Sequence, residues 1–178
     1  MPATLKQVED APFVWPAAPA GLSAKAAALD PVPIWRRLES FCAWRWGVRD
    51  VAWTVEGPGL WTPPLAPAQL NNPQVWTGDG WANTVLPPSP LGGYELASEG
   101  PYRITATVGA ATVPADVQEA FRRLAEYTAA ESLLPAGVRS YSATSGQLSE
   151  AATGDPAWLA KALHNSGAAD LLRPYRRA

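Results

Sequence analysis

Residues 108–127, VGAATVPADVQEAFRRLAEY, begin as the end of a strand, turn through Gly109-Ala110-Ala111 and open a helix at Val113-Pro114-Ala115-Asp116. Val117, Ala120, Phe121, Leu124 and Thr128 fall on one stripe, while Glu119, Arg122, Arg123 and Glu126 lie opposite. That spacing predicts an amphipathic helix from about Pro114 to Leu133, one face on a core and the other in water. A glycine turn feeding a helix N-terminus is a possible phosphate cradle. Here Gly109 stands alone, no Lys or Ser/Thr is placed to hold phosphate and metal, and the Asp116 carboxylate would repel an anion. The stretch reads as a corner.

Upstream, Ile34, Leu38, Phe41 and Cys42 form a stripe that predicts a helix from Pro33 to Trp46, stopped by Gly47. A short helix, SAKAAALD, precedes it with Ser23 as N-cap. DVAWTVEG (50–57) alternates as a strand. The prolines of LWTPPLAPAQLNNP argue for a loop, followed by a hairpin turning at Gly78-Asp79-Gly80. A second hairpin joins Tyr94 and Leu96 to Tyr102, Ile104, Ala106 and Val108. PAGVRSYSATSGQ reads as a loop, and a last helix opens at Asp155-Pro156, carries Trp158, Leu159, Ala162 and Leu163, and closes at Gly167. Residues 1–22 are Pro- and Ala-rich and read as an extended arm, 23–167 as one core, and 168–178 as a C-terminal tail. The expected class is α+β, helices around a small antiparallel sheet of hairpins.

Composition narrows the function. The 178 residues carry a net charge of −2 with a pI near 5.4, so no global basic footprint exists for gripping nucleic acid. The N-terminus lacks the pattern of a signal peptide, and no stretch reaches membrane-span length. A soluble protein made in the cytoplasm is expected, with no membrane partner. One cysteine, Cys42, and one histidine, His164, provide neither an internal disulfide nor a Cys/His zinc set. His164 near a helix end reads as a partner for the helix C-terminus, and Cys42 as a packing residue. Glu39, Asp50, Glu56, Asp79, Glu95, Glu99 and Asp116 are scattered with no acid/base motif. No catalytic, metal-binding or cofactor-binding residue is assigned.

Nine tryptophans admit two readings: core and subunit-interface packing, or an aromatic platform of a carbohydrate-binding module without catalytic activity. The terminal LLRPYRRA (171–178) gathers Leu171, Leu172, Arg173, Tyr175, Arg176 and Arg177, a set suited to an interface.

In order, PIWRRLESFCAWRWG (33–47), DVAWTVEG (50–57), VWTGDGW (75–81) with VLPPSPLGGYEL (85–96), GPYRITATVG (100–109) and VPADVQEAFRRLAEYTAAE (113–131) resemble the head-tail connector, or adaptor, family of tailed siphophages and gene transfer agents. The resemblance spans about residues 30–133. It implies a mainly α fold, a helical bundle with an antiparallel β-hairpin insertion, and a structural virion protein that is not an enzyme and needs no cofactor. It also implies a homo-oligomeric ring, usually a dodecamer, beneath the portal protein. A stopper or tail-completion protein binds the other side, and DNA passes through the lumen without specific binding. The location would be the virion's head-tail interface, after assembly in the host cytoplasm. Connector C-termini dock on the portal, which makes Leu171, Leu172, Arg173, Tyr175, Arg176 and Arg177 the portal-interface candidates. Removing residues 168–178 is expected to impair docking and leave the core folded.

Overall fold

A computed structural model describes residues 1–130, 140–145, 148–153 and 160–176. The chain divides into two compact units, one from residues 1–16 and 42–113, the other from 17–41 and 114–176.

The first unit is all sheet. Five antiparallel strands lie in the order β1 (Ala3–Glu9), β2 (Arg49–Glu56), β7 (Pro101–Val108), β4 (Ala68–Trp76), β5 (Trp81–Asn83), and β3 (Gly59–Trp61) pairs with β6 (Tyr94–Leu96) in a two-stranded sheet. Period-2 alternation decides the faces. Val51, Trp53 and Val55 of β2 stand opposite Ala106, Ile104 and Tyr102 of β7. All six are buried, in one cluster with Trp61, Leu65, Leu86 and Leu96. The outer face carries Thr54, Arg103, Thr105 and Gln74.

The mainly helical bundle expected above is therefore corrected: the fold is dominated by its sheets. Three segments account for this. Residues 3–9, read as part of a free arm, pair with β2. The proline-rich stretch read as a loop contributes β3 and β4, with Pro73 placed where β5 covers β4 only from Gln74 to Trp76; a missing N–H is tolerated at such an edge. Residues 94–96 and 101–108 do not form a hairpin with each other, since β6 joins β3 and β7 lies centrally between β2 and β4. The expected hairpin at residues 78–80 is present, with Trp76 paired to Trp81.

The second unit holds the helices. In α1 (Ala24–Ala27) the Ser23 hydroxyl accepts from the Ala26 N–H at 3.2 Å. The second helix, α2, runs Pro31–Phe41 and buries Ile34, Trp35 and Leu38. It ends before the expected Trp46; in the sheet unit, Ala43 and Arg45 instead exchange backbone hydrogen bonds with Ala66. The third, α3 (Ala115–Ala129), buries Val117, Ala120, Phe121, Leu124 and Ala125, and the Phe121 ring centroid lies 4.6 Å from that of Trp35. Residues 140–145 (β8) and 148–153 (β9), within a stretch read partly as loop, form a hairpin. Of the last expected helix, Ala162–Asn165 (α4) is observed, while the Asp155-Pro156 start, Trp158 and Leu159 fall outside the described residues.

Candidate functional site

The predicted interface tail is a folded element. Gly167, at φ +72°, turns the chain from α4 into α5 (Ala168–Leu171), which a single 3-10 turn, Arg173–Tyr175, continues. A left-handed φ at Gly167 suits glycine, which has no Cβ to clash. Ala168 and Ala169 are buried and Leu172 is fully buried, so Leu172 belongs to the interior of this unit. Leu171 is half-buried. The Tyr175 hydroxyl donates to the Asp116 carboxylate in the first turn of α3. Arg176 lies 4.6 Å over the Phe41 ring, and Arg173 pairs with Asp170 in the open. Of the six candidates, Arg173 and Arg176 are exposed; Arg177 lies outside the described residues.

The stretch 108–127 divides at its corner. Gly109 sits at φ +111°, and a Cβ there would meet the Gly47 carbonyl oxygen at 2.8 Å. In α3, Asp116 accepts from the Val117 N–H at 2.9 Å as well as from Tyr175. Its carboxylate takes the place an anion would occupy at that N-terminus. His164 is exposed, with its ring edge-on to Phe41 at 5.7 Å, and Cys42 is buried. Among the described residues no group of His, Cys, Asp and Glu is arranged to hold a metal ion, and no helix is long and apolar enough to cross a membrane.

An ion cluster anchors the N-terminal segment of the sheet unit. Glu9, at the end of β1, accepts from Arg45 Nε at 2.6 Å, from Arg45 Nη2 at 3.1 Å and from Arg49 Nη1 at 2.8 Å. Arg49 also lies 5.1 Å over the Trp15 ring. Burial pushes the Glu9 carboxyl up, but the hydrogen bonds and charges of Arg45 and Arg49 outweigh it and hold the group below its ordinary range. These partners are 36 and 40 residues apart in sequence, a separation that no local motif announces. In the helical unit, the Ser23 N–H and hydroxyl hold the Glu126 carboxyl below its ordinary range.

Trp35, Trp46, Trp53 and Trp61 are buried. Trp76 and Trp81 meet edge to face at 5.5 Å on the sheet surface; Arg103 lies 4.8 Å over the Trp81 ring and donates to Gln74 Oε1.

Large apolar side chains left in the open concentrate in the sheet unit. Leu5, Val8, Phe13 and Val14 lie along or just after β1, Trp76 ends β4, and Val85 and Leu91 lie in the connection after β5. Of these, Leu5, Val8, Val14, Val85 and Leu91 were not singled out from sequence. The only local signal was the short β-like run TLKQVE within a segment otherwise marked by prolines. Compared with known proteins, the chain matches no family model, no curated protein and no solved structure.

Proposed function

We propose that the protein is a structural assembly subunit, a head-tail adaptor that forms a ring beneath a portal protein, joins a capsid to a tail and lets DNA pass. One observation carries the reading: exposed apolar side chains flank the sheet at both of its edges, at Leu5 and Val8 on one side and at Trp76 and Val85 on the other. Apolar residues grouped in this way are covered by other subunits in assemblies. The order of the segments quoted above from residue 33 to residue 131 supplies the particular kind of assembly. A mildly acidic chain suits a conduit, because a strongly basic lumen would retain the DNA it must release.

Function in this reading resides in interfaces, with Arg173 and Arg176 presented toward a portal by a C-terminal segment packed on α3. Since Ala168, Ala169 and Leu172 are interior, truncation at residue 168 would damage the fold, and point changes are the cleaner probe. The test is the mass of the purified protein, alone and mixed with its portal, by native mass measurement or imaging. Rings or a stoichiometric portal complex support the adaptor, with weaker complex formation by an Arg173→Glu/Arg176→Glu variant. A monomer that ignores portal sinks the reading. The carbohydrate-binding alternative is less favoured, because Arg103 occupies one face of Trp81 and four other tryptophans are interior.

A further inference from the structure

We infer that two copies of this chain join edge to edge through β1, antiparallel about a twofold axis at Val8, so that their five-stranded sheets run on as one. The inference goes beyond the adaptor reading and does not rest on it. β1 is the terminal strand of its sheet, and Ala3 to Val8 are exposed along its length. Open backbone at a sheet edge is a template for another strand. What selects a second β1 as that strand is its own pattern of charge and apolar side chains.

The backbone decides which residues can pair. The Asp10 N–H donates to the Asp50 carbonyl at 3.0 Å, and Val8 and Lys6 stand opposite Ala52 and Thr54 in the same register. Lys6, Val8 and Asp10 therefore direct their N–H and C=O groups at β2, and Gln7 and Glu9 direct theirs out of the sheet. An added antiparallel strand must meet Gln7 and Glu9 with outward groups of its own. The irregularity between Thr4 and Lys6 closes the regular stretch at one end. Pro12, which has no N–H, closes it at the other.

Gln7 set against Glu9 of the second copy meets this condition on both sides of the axis. Val8 then faces Val8, in the non-hydrogen-bonded kind of pair where side chains come closest, and Lys6 faces Asp10 twice. These three side chains share the outer face with Ala52 and Thr54. Val8 is 48% exposed, and Lys6 and Asp10 are exposed charges. Among the described residues neither charged side chain has a hydrogen-bonding or ionic partner. On the inner face Gln7, whose amide donates to Glu9 of its own chain at 3.4 Å, stands beside Glu9 of the other copy.

The neighbouring registers fail. Gln7 against Gln7 would set Lys6 on Val8 and leave both charges without a counterpart. Glu9 against Glu9 would bring two carboxylates together and set Asp10 on Val8. A slip by a single residue would point the outward groups of one strand at side chains of the other that offer none. The stretch from Lys6 to Asp10 is thus complementary to its own reverse, with a cation at one end, an acid at the other and Val8 at the centre. Such a pattern suits an isologous contact, in which one patch serves both partners.

The test uses the full chain, with self-association followed by native mass measurement and sedimentation over a range of concentrations, and folding by circular dichroism. The wild type should dimerise without portal, and Val8→Lys should abolish the dimer. Lys6→Glu sets a carboxylate against Asp10 twice, and Asp10→Lys sets an ammonium against Lys6 twice; each alone should weaken self-association about tenfold at low salt. Mixed one to one, these two variants regain both ion pairs and should form a heterodimer as tight as the wild-type dimer. A wild type that stays monomeric, or charge variants that associate no better mixed than apart, would overturn the contact. Rings whose mass no variant changes would overturn the contact and leave the adaptor reading standing. Dimers that form no ring and ignore portal would support the contact and overturn that reading.

Discussion

The phenolic oxygen of Tyr175 lies 2.9 and 3.0 Å from the two carboxylate oxygens of Asp116, across 59 residues of sequence. This contact ties the end of the chain to the beginning of α3. Tyr175→Phe should cost about 1–2 kcal/mol, the range for a partly exposed hydrogen bond to a charged acceptor. Denaturant melts measure the loss, and hydrogen exchange should show it concentrated in residues 168–176. An unchanged exchange pattern there would mean that the segment is held by its buried side chains, Ala168, Ala169 and Leu172, without the hydroxyl.

Glu9→Gln should destabilise the sheet unit by about 2 kcal/mol, since Arg45 and Arg49 would lose a charged acceptor whose side chain is only 20% exposed. The pH dependence has a definite sign. The folded-state pKa of Glu9 lies below its ordinary value of 4.5, so its contribution is full above about 4.5 and is lost as pH falls through the lower folded value. Acid titration of stability should therefore be shallower in Glu9→Gln than in the wild type. Parallel curves would show that the cluster contributes no linkage.

Gly109→Ala should be costly even though it adds one methyl group. The residue sits at φ +111°, and the new Cβ would press on the Gly47 carbonyl oxygen. Backbone strain of this kind costs about 1–3 kcal/mol, and a thermal melt should register it as a lower Tm. A neutral result would mean that the 47–48 and 109 backbones separate easily.

Phe121→Ala removes a fully buried ring packed on Trp35. A loss of about 3–5 kcal/mol is expected for such a truncation. Trp35 is in contact with the missing ring, so tryptophan fluorescence should shift with the change; a loss under 1 kcal/mol would indicate that the neighbours collapse into the space.

The helices were largely legible in sequence because their signal is local. The stripe Val117, Ala120, Phe121 and Leu124 announces its own buried face, and Ser23 announces its own cap. The sheet was legible strand by strand at β2 and β7, where alternation is clean, but not in its pairing. β1 joins β2 across more than forty residues, and nothing within TLKQVE names that partner. The prolines misdirected the reading of 60–73, because a strand edge left open tolerates Pro73 while a central strand would not. The tail residues were legible as a group, yet the interior position of Leu172 depends on a turn at Gly167 that sends Ala168, Ala169 and Leu172 inward. The Glu9 cluster left no trace in sequence, since its three charges are joined only after β1 and β2 meet.

The chain passes between its two units at residues 16/17, 41/42 and 113/114, and this path orders events during synthesis. Once residue 113 has emerged from the ribosome, every described segment of the sheet unit is free, and β1 can pair with β2 and β2 with β7. At that moment α1 and α2 are also free, but Phe121, which packs on Trp35, and Glu126, which accepts from Ser23, have not emerged. Until α3 follows, the apolar face of α2 lacks its native cover while the sheet is already able to close. Newborn chains are therefore most exposed to mispairing in this interval, when the sheet can be finished and the helix pair cannot.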